Sequence, residues 1–133
     1  MIGHQTTLAA LSDIAMSTAA MDGAIAEIRG TDLHITHGLR LRIPRRVIDA
    51  RESPQLCEAL ASGTPDWLDP GAISGLYLPR GSEVLCIPFP PGNVRHAAFF
   101  LYEERLELSW ADRHFFQRVL SSADEAPSLP LAA

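Results

Sequence analysis

The side chains in this 133-residue chain with chemistry to offer are two cysteines, five histidines and a run of arginines. Cys57 and Cys86 would act as nucleophiles only as exposed, activated thiolates. Cys86 lies inside the continuous apolar run from Val84 to Phe89, and Cys57 adjoins Leu56 on an amphipathic segment. A thiol in such surroundings has a raised pKa and packs as a small hydrophobe, so packing roles are expected for both. His34-x-x-His37 has the look of a metal pair. Residues three apart on a strand point to opposite faces, and no carboxylate cluster accompanies them, so no metal site is expected. His37 shares its parity with Leu33 and Ile35. It is therefore read as facing inward, either lining a pocket, where it would suit a haem, or held by hydrogen bonds in the core.

The arginines are concentrated. Arg40, Arg42, Arg45, Arg46 and Arg51 against the single Asp49 give residues 40–51 a charge of +4, leaving −9 for the remainder of a chain whose net charge is −5. Such a segment suits a clamp for a carboxylate or phosphate, a docking patch for an acidic partner, or a solvated loop paired with the surplus of acids. No aromatic residue interleaves with these arginines, so there is no stacking platform for nucleic acid. The acidic balance also speaks against a general nucleic-acid or anionic-membrane binder. All 11 cations are arginine, which removes Schiff-base and P-loop lysine chemistry. No Ser-His-Asp arrangement, glycine-rich phosphate loop or convincing carboxylate pair stands out, so no catalysis is expected.

These side chains must be positioned by elements that the patterning makes visible. Leu11, Ile14, Thr18 and Met21 form one stripe of a helix over residues 7–21, ended by Asp22-Gly23. Residues 24–28 and 33–38 flank the polar turn Arg29-Gly30-Thr31-Asp32 and predict a hairpin. Ser53 as N-cap, Pro54 at the first helical position and Gly63 past the end mark a second helix whose Leu56 and Leu60 face the core. Residues 64–82 read as a loop region with at most short strand pieces. Val84 to Phe89 and His96 to Tyr102 are unbroken apolar runs joined by Pro90-Pro91-Gly92-Asn93, which predicts an antiparallel hairpin covered on both faces. Ser109 caps a last helix with Asp112 in its first turn and a stripe of Phe115, Phe116, Val119, Leu120 and Ala123.

The composition, 47% hydrophobic and 20% charged, is that of one globular domain. The domain is placed at residues 7–123, with flexible segments at 1–6 and 124–133. Two cysteines make no disulfide framework, no run approaches the length of a membrane span, and the N-terminus carries no secretory pattern. A cytoplasmic protein is expected.

This order of elements resembles the GAF domain family. The resemblance rests chiefly on residues 84–120: an apolar strand, a Pro-Gly turn, a second apolar strand and the helix start Ser109-Trp110-Ala111-Asp112. Glu58-Ala59-Leu60-Ala61-Ser62-Gly63-Thr64-Pro65 is similar to the family's helix end and following turn. The resemblance implies an α+β fold of PAS/GAF type: a central antiparallel sheet, the N- and C-terminal helices on one face, and a helix and loop lid on the other. It also implies a sensory or regulatory role in bacterial-type signalling, with occupancy by a small molecule or dimerisation passed to a signalling partner. The ligand region would draw on Ile35, His37, Arg40, Arg42, Leu56, Leu60 and Trp67. Homodimerisation would use Leu11, Ile14, Thr18 and Met21 with Phe116, Val119 and Ala123. The short segments 39–52 and 64–82 favour instead a ligand-free interaction module. No cofactor, nucleic acid or membrane is implied. One enzyme of this fold, the free methionine-R-sulfoxide reductase, uses loop cysteines, which the placement of Cys57 and Cys86 does not match. Neither cysteine is followed by histidine as in bilin-binding members, and a chain without lysine lacks the Asn-Lys-x-Phe-x-Asp-Glu signature of cyclic-nucleotide binders.

Overall fold

The computed structural model describes residues 2–40, 47–69 and 82–125. Among the described residues the elements follow in the order α1 (Ile2–Ser17), β1 (Asp22–Arg29), β2 (Asp32–Gly38), β3 (Val47–Asp49), a 3₁₀ turn (Ala50–Glu52), α2 (Pro54–Ser62), β4 (Asp66–Leu68), β5 (Glu83–Phe89), β6 (His96–Tyr102) and α3 (Trp110–Glu125). The strands form one six-stranded sheet in the order β3-β2-β1-β6-β5-β4, with every neighbouring pair antiparallel. Helices α1 and α3 cover one face, and α2 packs on the other.

The apolar runs at β5 and β6 form interior strands of the sheet, and both of their faces are covered. Alternate residues Leu85, Ile87 and Phe89 meet the terminal helices, whereas Val84 and Cys86 join Leu56 and Ala59 of α2. Phe99, Phe100, Leu85 and Leu56 have no solvent exposure. Burial of each such side chain stabilises the fold by about 1.5–3 kcal/mol.

The caps are built as the sequence patterning predicts. Ser53 Oγ accepts from the Leu56 amide at 3.2 Å, Pro54 opens α2, and Gly63 closes it with φ 67°. Ser109 and Asp112 form a reciprocal capping box: the Asp112 amide donates to Ser109 Oγ at 3.0 Å, and the Ser109 amide to Asp112 Oδ2 at 3.2 Å.

Helix α1 differs from expectation at both ends. It begins at Ile2, ahead of Thr7, and stops at Ser17 rather than Met21. The stop is a Schellman turn: the Ala20 amide donates to the Ala15 carbonyl and the Ala19 amide to that of Met16, with Ala19 at φ 58°. Glycine is the usual occupant of that left-handed position. Ala19→Gly is therefore expected to stabilise the protein by about 0.5–1 kcal/mol, read as a rise in melting temperature by circular dichroism.

Candidate functional site

Ile35, Leu56 and Leu60 are brought together on the sheet face that α2 covers, in the cluster that also holds Leu33, Ile48 and Phe99. His37, Arg40 and Trp67, also expected at the ligand region, are placed elsewhere. Between β1 and β2 the register slips: Ala26 pairs with Ile35 but Ile25 pairs with His37, leaving Thr36 as the extra residue of a β-bulge. A bulge breaks strict alternation. His37 therefore follows its partner Ile25 onto the face of the terminal helices, away from Ile35, with Thr36 Oγ1 2.9 Å from its Nδ1. The same slip puts His34 and His37 on one face, contrary to the alternation expected of them. Among the described residues, no group of three or more His, Cys, Asp or Glu side chains is placed to hold a metal ion.

Trp67 also lies on the terminal-helix side, because β4 pairs it with Leu85. Its ring meets Tyr102 edge-on at 5.5 Å, and Arg105 sits 5.9 Å from its centre. Burial raises the Tyr102 phenol, and the hydroxyl of Thr18 at 2.7 Å partly offsets this. Arg40 borders a cleft of about 470 Å³ beside the end of α1 with Met16 and Leu39, remote in the fold from the α2 face. Its amide donates to Asp22 Oδ1, which also accepts from the Gly23 amide, both at 2.8 Å. Arg42 lies outside the described residues, as do Arg45 and Arg46. Arg51 is committed to a bidentate pair with Asp49, and its hydrogen bonds hold the Asp49 carboxyl below the usual range.

Of the two cysteines expected to pack in the interior, Cys86 does and Cys57 does not. Cys86 is wholly buried, and burial pushes its thiol up, with Asp66 adding to the shift. Cys57 is exposed on α2, and its Sγ–H donates to the Ala50 carbonyl at 3.0 Å.

Most of the expected dimer stripe belongs to the interior of the fold. Leu11 and Ile14 are buried against Ile25, Phe89 and Phe100, and Ala123 is buried with them. Phe116 packs partly buried on the same cluster. Thr18 lies past the end of α1, its hydroxyl donating to the Ile14 carbonyl at 2.7 Å. Met21 packs on the opposite, α2 face. These residues are used by the sheet, because the helices had to cover it. What α1 and α3 leave open is a groove of about 570 Å³ with Ala9 and Asp13 on one side and Phe115, Arg118, Val119 and Ser122 on the other. Ala123, like Val119 a member of the expected stripe, also lines it. Phe115 is 52% exposed and Met16, farther along α1, 79%.

A second concavity lies where α2 ends, β4 runs and α3 begins. It measures about 310 Å³ and is bordered by Glu58, Asp66, Trp110, Arg113 and His114. Sequence patterning did not single out any of these as a site, since they come from three separated elements. It also missed Gln117, a buried polar residue whose Nε2 donates to the carbonyls of Gly63 and Pro88, both at 2.7 Å. Its only sequence signal is an amide on the buried stripe of α3.

No family model matches the chain, and no curated protein matches it in sequence. Solved structures do. The chain has a GAF-like fold. It is similar to a GAF domain/HD domain protein from Geobacter sulfurreducens, with a TM-score of 0.68, 20% identity, and coverage of 89% of this chain and 87% of that one. The second GAF domain of DevS from Mycobacterium smegmatis gives a TM-score of 0.67 at 12% identity over 98% of this chain and 99% of that one. The type II free methionine-R-sulfoxide reductase of Thermoplasma acidophilum gives 0.68 at 9% identity over 93% of each. At these identities the likeness defines the architecture, which by itself hosts more than one function.

Proposed function

We propose that this chain is a regulatory GAF-like domain that pairs with a second copy of itself through the outer face of α1 and α3 and performs no catalysis of its own. The groove between those helices carries the reading. Its walls combine an exposed aromatic ring, small apolar residues and one charge of each sign, with the Arg118 guanidinium 5.7 Å from the centre of the Phe115 ring. Aromatic and arginine side chains are enriched at interfaces. A two-fold pairing sets residue i of one subunit against j of the other, and j against i. In the proposed pairing Asp13 of each copy is set against Arg118 of the other, and the symmetry supplies that contact twice. The regulatory context is supported by the similar folds of signalling proteins, and output falls to a partner protein. Dithiol chemistry is disfavoured because Cys86 is sealed in the core with its thiol pushed up, which leaves the exposed Cys57 without a second accessible thiol.

Sedimentation velocity across a concentration series tests this. A dimer is expected, with Phe115→Glu weakening it by about tenfold or more. Asp13→Arg is expected to weaken it as well, and the double change Asp13→Arg with Arg118→Asp to restore it. A monomer at every concentration, or a dimer indifferent to all three variants, would overturn the reading.

A further inference from the structure

We propose that the cleft between the end of α2, β4 and the first turns of α3 binds a small zwitterion, carrying an amine and a carboxylate on one skeleton as a free amino acid does. Its volume of about 310 Å³ suits a molecule of that size. One wall presents Arg113, His114 and Trp110, and the other side carries Glu58 and Asp66.

The cationic wall is incomplete as it stands. Arg113 Nε and His114 Nε2 are both shut off from solvent, and neither has a hydrogen-bond partner among the described residues. Unpaired buried polar atoms are costly and rare in native folds. Here two occur on consecutive residues beside one cleft. The third such atom, His96 Nδ1, differs in kind, because the Asp124 carboxylate lies 3.5 Å away. A carboxylate has acceptors enough for both, since its oxygens can take a guanidinium N–H and an imidazole N–H. The start of α3 adds the positive end of a helix dipole. Across the cleft, Glu58 and Asp66 form no ion pair among the described residues. They stand where the amine of the same molecule would be received.

Trp110 controls access. Its ring lies 3.9 Å from that of His114 at an interplanar angle of 31°, while the residue is 66% exposed. It therefore roofs the imidazole without being held in the core. Rotation of the indole uncovers the wall, and the ring can then stack on the bound molecule. The site is separate from the α1–α3 pairing face, so neither proposal depends on the other.

Indole fluorescence tests the inference directly. Trp67 and Trp110 are the two tryptophans, so Trp67→Phe leaves Trp110 as the reporter. Titration with glycine and L-leucine is expected to give a saturable change, with acetate and methylammonium binding at least about tenfold more weakly. Arg113→Gln and Asp66→Asn are each expected to weaken amino-acid binding by about tenfold, with thermal melts confirming that both variants fold. Should Arg113→Gln fail to fold, the exposed Glu58→Gln carries the same expectation. The inference fails if neither amino acid saturates the signal, if acetate binds as tightly as they do, or if the folded variants bind unchanged.

Discussion

Replacing Gln117 by leucine is expected to lower stability by about 2–4 kcal/mol, although α3 would gain apolar character on its buried side. The amide is 2% exposed, and its Nε2 is shared between the carbonyls of Gly63, at the end of α2, and Pro88, at the end of β5. Leucine fills similar space but removes a donor from two carbonyls in the interior, and a buried acceptor that loses its partner carries its desolvation cost. At this chain length the loss corresponds to a fall in melting temperature of roughly 6–16 °C. Gln117→Glu sharpens the test, since it changes little but the donor. An ionised carboxylate only accepts, and two carbonyl oxygens facing it would repel it, so the folded protein favours the protonated acid and raises its pKa above the unfolded value. The sign follows: stability is fullest below the unfolded value of about 4.3 and is lost as pH rises through the higher folded value. Melting curves at about pH 4 and about pH 7 should therefore diverge for Gln117→Glu and nearly coincide for Gln117→Leu. Equal melting of wild type and both variants at neutral pH would remove Gln117 from the structural role assigned to it.

Local chemistry was the legible part of this fold. Ser53, Pro54, Gly63, Ser109 and Asp112 act through their own turns, and each does what its residue type favours at that place. The apolar runs at β5 and β6 announced buried strands because two covering layers require apolar residues on both sides. The bulge at Thr36 gave no such notice, since neither glycine nor proline marks it, and with it went the assignment of His37. Trp67 was misplaced for a related reason: a three-residue edge strand has too little pattern to reveal its parity, so its partner Leu85 decides which face it takes.

The candidate sites were harder still. The stripe on α1 was correctly apolar, but a stripe is the same whether it meets a sheet or a second subunit. Leu11 and Ile14 meet the sheet, so the proposed pairing draws instead on the less obvious Asp13, Phe115 and Arg118. The cleft of Glu58, Asp66 and Arg113 depends on where α2, β4 and α3 converge, a long-range property that no local period encodes.

Gly63→Ala is expected to cost about 2–3 kcal/mol, far more than one added methyl group would suggest. Two effects combine at this position. The backbone is left-handed, φ 67° and ψ 22°, where an L side chain is disfavoured by about 1–2 kcal/mol. The added Cβ would also lie 2.9 Å from the Pro91 carbonyl oxygen and 3.5 Å from Val94 Cγ2. The first of these is backbone in the turn joining β5 to β6, so it cannot move aside as the end of a side chain would. Relief requires shifting α2 from that turn, and the Gly63 carbonyl is the one Gln117 already holds. Gly30→Ala supplies the control. It has φ 65° as well, but nothing lies within 4 Å of its added Cβ, so only the backbone term applies, about 1 kcal/mol. Urea denaturation of the two variants should show Gly63→Ala losing at least about 1 kcal/mol more than Gly30→Ala, with unchanged m-values. Equal losses would mean that the turn yields freely, and the close approach of α2 to Pro91 would then contribute nothing to holding the helix against the sheet.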